Sequence, residues 1–333
     1  MGSSAESPAS PLPPVFLAAF RARADAAGVM SFAAFMELAL YHPEFGYYRR
    51  PHRRIGRQPG TDFYTATSAG PVFGELIAAA AGQLLGGQNP RDYEFFEIGA
   101  EPGAGVLQGV SHPFARSQTL GVGDEINLKG RLIVFSNELF DAQPFNRYVY
   151  RAGVWRELGV KLADATLVET ILPPAAMPVE LPADATEGYV IDAPLAASDL
   201  MRRIASQPWH GLLIACDYGK TWHEITGSLP AGTARAYHQH RQSNDLLARP
   251  GEQDLTCHVC WDWLARELTA QSFQLPQVES QESFFVRHAG HHLQTVIAAE
   301  AATLSQRKLA ITQLIHPTHL GHKFQVLHAL RSS

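Results

Sequence analysis

Three groups of residues in this chain could do chemistry, and each follows a short apolar run. The first is Glu97, Gly99, Gly103 and Gly105, within EFFEIGAEPGAG. The second is Asn137, Glu138 and Asp141, within LIVFSNELFDAQPF. The third is Asp217, Tyr218 and Gly219, at the end of LLIACDYG. Glycines lack Cβ, so they permit a tight turn and let a ligand approach the backbone. A carboxylate at Glu97 could pair with the ammonium group of a cofactor's amino-acid part. A phosphate is disfavoured there, because Glu97 and Glu101 would repel it and no P-loop lysine is present. Asn137, Glu138 and Asp141 offer two carboxylates and an amide, which could hold a guanidinium or amine or orient a cofactor. The same residue types also serve as plain helix N-caps. Asp217-Tyr218-Gly219 reads equally well as a turn after a strand.

The runs before these groups, Phe95–Ile98, Leu132–Phe135 and Leu212–Cys216, read as parallel strands buried on both faces. As neighbours in one sheet, their ends would converge on a single crevice, the place where open α/β sheets bind ligands. Phe73, Leu76, Ile77, Ala80, Ala81, Leu84 and Leu85 form one apolar helical face, stopped by Gly86-Gly87. VFLAAFRARADAAG is expected as a short helix, and Ser31 as the cap of a second, FAAFMELAL. The stretch from Tyr41 to Gly70 is a long Gly-, Pro-, Arg- and Tyr-rich loop, and such loops are usually functional or mobile. Asn146 to Tyr189 reads as an antiparallel, strand-rich insertion. A helix is expected around Trp261–Leu268. Phe284–Val286 and Phe324–Leu327 are expected as closing strands, with a helix from His292 to about Ile315 between them. Alternating strands and helices predict an α/β, doubly wound core. The expected organisation is a disordered lead-in over 1–13, N-terminal helices and a crevice-covering loop over 14–72, and a core over 73–333 with an insertion at about 146–190.

The chain has 333 residues and a net charge of -5, so no general attraction to nucleic acid or anionic membrane is expected. No apolar run reaches the ~18 residues of a membrane span. The N-terminal MGSSAESPASPLPP lacks a signal-peptide core, and three cysteines are too few for a disulfide framework. A cytoplasmic setting is the expectation from these features. Cys257-His258-Val259-Cys260 offers possible metal ligands, but no second pair has matching spacing, so partly buried thiols are favoured and no metal is expected. No G-x-S-x-G elbow occurs, which removes support for that type of hydrolase.

At these residues the chain resembles the MidA-like methyltransferase family, which includes the mitochondrial complex I assembly-factor arginine methyltransferase. The matching blocks are FMELALYHPEFGYY, TDFYTATSAGPVFGELIA, FFEIGAEPGAGVL, SNELFDAQPF, LLIACDYG, GEQDLTCHVCWDWL and LIHPTHLGHKFQVL, in one order from about Ser31 to Leu327. The resemblance implies a Rossmann-like, class I methyltransferase fold with a mostly parallel sheet, using S-adenosylmethionine, with the methyl acceptor on a partner protein. Carried over by position, Glu97, Gly99, Gly103 and Gly105 would line the cofactor, and Asn137, Glu138 and Asp141 would lie at the methyl-transfer site. Asp62, Phe63 and Thr65 would belong to a segment folding over the crevice. For arginine N-methylation the carboxylates would localise guanidinium charge and align one nitrogen, which is positioning and electrostatics.

The chain departs from the family pattern in two places. Glu101-Pro102 stands inside the glycine turn, where proline fixes φ and removes a donor. Only Val106–Gly130 separates that turn from the next core strand, where the family has a helix, a second strand, another helix and a third strand. That is room for about one βα unit. Thr119–Val122 is the expected surviving strand. Asp124 or Glu125, about 20 residues after Gly105, would take the ribose-binding position. Two readings follow. One is a S-adenosylmethionine-dependent protein methyltransferase acting on arginine. The other is a non-catalytic relative that binds or assists assembly of a partner, with the cofactor site reduced. Oligomeric state is left open.

Overall fold

The computed structural model describes residues 11–50, 54, 56, 61–62, 66–300 and 305–332. The chain opens with α1 (Pro14–Arg23), β1 (Val29–Ser31) and α2 (Phe32–Tyr41). A longer helix, α3 (Pro71–Leu84), leads to β2 (Glu94–Ile98), β3 (Arg116–Leu120) and β4 (Gly130–Asn137). Four strands follow without a helix: β5 (Asn146–Arg151), β6 (Val154–Ala163), β7 (Thr166–Ile171) and β8 (Val190–Ala193). Next come α4 (Leu195–Ala205), β9 (Trp209–Asp217), β10 (Gly219–Lys220) and α5 (Trp222–Ser228). Short strands β11 (Arg235–His238), β12 (Arg241–Ser243), β13 (Asp254–Thr256) and β14 (Val259–Cys260) precede α6 (Trp261–Ala270). The last elements are β15 (Gln274–Ser280), α7 (Gln281–His288), α8 (Gly290–Ala299), α9 (Gln306–Ile315) and β16 (Gln325–Arg331).

These elements form two compact units. The first takes the described residues of Met1–His52, Pro144–Ala193 and Ile225–Cys257; the second takes those of Arg53–Gln143, Pro194–Glu224 and His258–Ser333. The cuts differ from a division at residue 72: the first unit's opening segment ends at His52, and the unit also takes Pro144–Ala193 and Ile225–Cys257.

In the first unit, antiparallel strands run β1-β6-β5-β8, with β7 on β6, and β12-β11-β13 form a separate sheet. Ser31 caps α2 as expected, accepting the amide of Ala34 at 3.2 Å. Aromatic side chains close the interior, with Phe32 and Phe145 rings 5.1 Å apart and Phe16 edge-on to Phe35. One buried acid ties the unit together. Asp192 on β8 accepts Arg147 Nη1 at 2.8 Å and the amides of Thr233 and Ala234 at 2.6 and 2.7 Å. A buried carboxylate is tolerable only with such partners.

The second unit is a six-stranded sheet in the order β15-β16-β9-β4-β2-β3. Strands β3, β2, β4 and β9 are parallel, and β16 is antiparallel to β9 and to β15. The period of two sends Ile133 and Phe135 of β4 to one face and Leu132 and Val134 to the other. The first face packs on α3, α7, α8 and α9, through Phe73, Phe285, Leu293 and Ile311; the second packs on α4 and α6, through Met201, Ile204, Trp261 and Leu264. This is the mixed α/β architecture expected. The helix of Phe73–Leu85 is α3, and positive φ at Gly86 and Gly87 follows it.

Two expected elements change type. Phe284–Val286 is not a strand but part of α7, whose first turn Ser280 caps by accepting the Ser283 amide. A short apolar run fits a buried helix face as well as a strand, and the strand position is held by β15. The single helix expected over 292–315 is two described helices, α8 and α9. In the shortened stretch, β3 at Arg116–Leu120 takes the place expected for Thr119–Val122, and among the described residues no helix lies between β2 and β4. β3 is the sheet's edge, and its exposed polar sequence RSQTL suits an edge.

Replacing Asp192 with alanine should leave two buried amides without an acceptor and Arg147 with only its longer pair to Glu169. The expected cost is about 3–5 kcal/mol of stability, read from urea denaturation. A loss below about 1 kcal/mol would show that Asp192 does not hold the first unit together.

Candidate functional site

Parallel register decides which side chains share an edge. Ile98 of β2 pairs with Leu120 of β3 and Ser136 of β4, and Asn137 of β4 pairs with Cys216 of β9. The three groups of residues picked out above therefore leave the sheet at one end, side by side, as do Gly121–Asp124 after β3.

At the end of β2 the turn is built around Glu97. Its side chain is buried, and Oε2 accepts the amide of Val106 at 2.6 Å. Burial pushes this carboxyl up to about 7, against the pull of the Val106 amide. Its Oε1 has no hydrogen-bond partner among the described residues. Gly105 must be glycine here, since a Cβ would stand 2.6 Å from Thr119 Cγ2 and 3.3 Å from Glu97 Oε2. Gly99 has φ +85°, and a Cβ there would meet Leu139 Cδ1 at 2.8 Å, so the ends of β2 and β4 touch through Leu139. Around Gly103 the space a Cβ would take is open.

Glu101, the residue out of pattern, has a partner. Arg54 grips it with two parallel bonds, Nε to Oε1 and Nη2 to Oε2, both 2.8 Å. Arg54 is buried, and its carbonyl accepts the amide of Asp62, also buried, at 2.7 Å. A bidentate pair of this kind fixes geometry as well as charge. It cancels the negative charge of Glu101 and fastens Arg54 and Asp62 to the glycine turn. Arg54 was not foreseen; its only signal was an arginine-rich loop. Phe63 and Thr65 lie outside the described residues.

At the end of β3, Asp124 is exposed and Oδ2 accepts the Gly121 amide at 2.7 Å. The Gly121 Cβ position is 3.6 Å from the Ala100 carbonyl oxygen, so this turn lies against the glycine turn. Glu125 beside it is exposed.

The end of β4 carries the most strained residue of the site, Glu138, a non-glycine at φ +50°. Such outliers cost about 1–3 kcal/mol and gather at functional sites. The Glu138 amide donates to the Cys216 carbonyl at 2.9 Å, and Asn137 Nδ2 donates to Glu138 Oε1 at 3.0 Å. No helix begins at Asn137–Asp141, so the N-cap alternative fails. Asp217 Oδ2 takes the amides of Phe140 and Asp141 instead, at 3.0 and 3.3 Å. Asp141 and Asp217 are both buried. Burial pushes Asp141 up to about 6, eased by a hydrogen bond from Tyr218. Asp217 is pushed well above the carboxylate range by burial and by the charge on Asp141. Two acids buried side by side oppose each other's charge, so each holds a proton more tightly than it would alone. Two buried acceptors lack hydrogen-bond partners among the described residues: Asn137 Oδ1 and Asp141 Oδ1. Such atoms are costly unless something donates to them.

Cys257 and Cys260 are buried, and burial pushes the Cys260 thiol up to about 12.

A strand-end crevice with glycine turn and acids is the arrangement of S-adenosylmethionine-dependent methyltransferases, and comparison with known proteins agrees. Residues 122–277 match a family described as "Putative S-adenosyl-L-methionine-dependent methyltransferase". The glycine turn precedes that span. Curated relatives include the rat and zebrafish proteins named "Protein arginine methyltransferase NDUFAF7, mitochondrial". They are 24% and 23% identical, over 89% and 92% of this chain and 80% and 85% of the relative. A COG1565 superfamily member from Burkholderia thailandensis, solved bound to S-adenosyl-homocysteine, superposes with TM-score 0.82 and 26% identity, over 96% of this chain and 95% of that one. These findings support the likeness to methyltransferases that the seven blocks carry. They also correct one expectation: the cytoplasmic setting is overturned, since the curated relatives are named as mitochondrial proteins. Among the described residues no helix is long and apolar enough to cross a membrane.

The raised Glu97 carboxyl has a measurable consequence. Its folded value lies above its ordinary value of 4.5, so the native state holds the proton more tightly than the unfolded chain. The stability this contributes is full below pH 4.5 and lost as pH rises through about 7. Urea unfolding of the ligand-free protein at pH 5 and pH 8 should show a fall that Glu97→Gln reduces by on the order of 2 kcal/mol. An identical fall in both proteins would mean that Glu97 is not buried as described.

Proposed function

We propose that the chain is a S-adenosylmethionine-dependent protein methyltransferase that methylates arginine on a partner protein. The observation that carries the reading is the pair of buried, unpartnered acceptors, Asn137 Oδ1 and Asp141 Oδ1, on the strand-end edge that also holds the glycine turn. A guanidinium supplies several N–H donors in one plane and a positive charge, which suits one amide oxygen and one carboxylate oxygen.

The sheet is read as a class I methyltransferase sheet cut short beyond β3. The turn fits the cofactor at its amino-acid end. Glu97 Oε1 is left for the ammonium group, and the open space at Gly103 admits backbone approach. Asp124 is the acid available for the ribose, and its remaining oxygen faces that task while Oδ2 holds Gly121. Glu125 is the second acid at that turn. Asp62 and Thr65 are assigned to the covering segment, with Asp62 anchored through Arg54 and Glu101. When bound, the cofactor supplies an electrophilic methyl group on a sulfonium.

The chain's own residues then position rather than react. Asn137 and Asp141 orient the guanidinium, and charge on Asp141 localises the cation. Asp217 holds the Phe140 and Asp141 amides, which fixes the turn on which Asp141 stands. Glu138 keeps its strained conformation through the bond to Cys216. A non-catalytic partner-binding role draws on one observation, the absence of a helix between β2 and β4 among the described residues. It leaves the two unpartnered acceptors unused.

The test is transfer of labelled methyl from S-adenosylmethionine to proteins of a cell extract, with methylarginine read after acid hydrolysis. Asp141→Asn should lower the rate by about 100-fold or more while S-adenosylhomocysteine affinity stays within about threefold. No label in methylarginine with the wild-type chain, while it binds S-adenosylhomocysteine, would leave the partner-binding role standing.

A further inference from the structure

A second cluster of titratable groups lies outside the strand-end edge and has no part in the reading above. Glu279 on β15, His288 at the end of α7 and His328 on β16 bring one ligand atom each to within 4.8 Å of one another. Glu279 Oε1 stands 2.8 Å from His288 Nε2 and 2.9 Å from His328 Nε2. Glu279 and His328 are buried, while His288 is partly open to solvent. The Phe284 ring lies 5.2 Å from the His288 ring and 5.5 Å from that of His328, forming an apolar wall. The three come from a strand, a helix end and a second strand, so the backbone holds their relative positions.

We propose that Glu279, His288 and His328 bind a divalent transition-metal cation, with zinc the best fit. Two imidazoles and a carboxylate form a recognised zinc ligand set, and water completes a tetrahedron. Ligand atoms about 2.0–2.2 Å from zinc stand roughly 3.4 Å apart at tetrahedral angles. The observed spacings to Glu279 are thus about half an ångström short, which side-chain rotation supplies. Calcium and magnesium are disfavoured, because they prefer all-oxygen shells. Zinc here would tie β15, an edge strand, to α7 and β16. It would also take over the role that Arg287 plays in the ligand-free chain, where Nη1 is 3.0 Å from Glu279 Oε2. That guanidinium is two-thirds exposed and can swing away.

The alternative is a hydrogen-bonded triad that holds the three elements without a cation. Titration of the chelator-treated full chain with zinc, and with cobalt as a visible probe, separates the two. The expected result is one equivalent at micromolar or tighter affinity, a tetrahedral cobalt d–d band and no thiolate charge-transfer band. Glu279→Gln and His288→Asn should each weaken zinc at least ~10-fold, while His291→Asn leaves it unchanged. Arg287→Ala should tighten it by relieving repulsion. His288 is partly exposed, so His288→Asn is expected to fold, which circular dichroism checks. No zinc binding below millimolar concentration would overturn the proposal. So would a thiolate band, or affinity indifferent to both Glu279→Gln and His288→Asn.

Discussion

Three carboxylates of this chain, Glu97, Asp141 and Asp217, are buried at the carboxyl ends of parallel strands with backbone amides and the Tyr218 side chain, not cations, as their partners. Glu97 is held by Val106, and Asp217 by Phe140 and its neighbour Asp141. Burying charge this way costs stability unless the group keeps a proton or meets a donor. All three respond by holding protons more tightly than usual. The rest of the second unit can be understood as what this arrangement requires. The apolar strands supply the burial, the glycines let the turns close over the acids, and the parallel register puts the acids on one edge. A ligand with an ammonium or guanidinium group would relieve that cost, which is why the edge reads as a binding site and not as an unusually expensive turn.

Between β2 and β4 the described chain forms only β3 and turns, and the turn after β2 is fastened there. The hydrogen bonds from Gly99 and Ala100 to the Leu120 carbonyl bind the turn after β2 to the end of β3. Glu101, which looked like an unwelcome charge, serves as an anchor for Arg54. The charge inside the glycine turn is thus matched by a buried arginine of the same unit.

Much of this was legible in the residues. Apolar runs with a period of two, glycines at the ends and acids beyond them are local signals, and β2, β4 and β9 follow them. The Ser31 cap and the stop at Gly86-Gly87 are equally local. The misassigned Phe284–Val286 shows where local signals end: a three-residue apolar run has no period of its own, and the cap at Ser280 decides it. The grip of Arg54 on Glu101 spans a long chain separation, and so does the meeting of Glu279, His288 and His328. Nothing in their spacing announces either. The division of the chain into units was also hidden, because β11–β13 belong to the same unit as strands far earlier in sequence.

The central claim is that a buried, proton-holding Glu97 forms the polar end of a working cofactor site on a shortened sheet. Calorimetric titration with S-adenosylhomocysteine near neutral pH, in two buffers of different ionisation enthalpy, tests it most directly. An ammonium group arriving at Glu97 should drive off its proton, so binding is predicted with net proton release in the wild-type chain and with less release in Glu97→Gln. No heat at millimolar ligand with a folded chain would contradict the account.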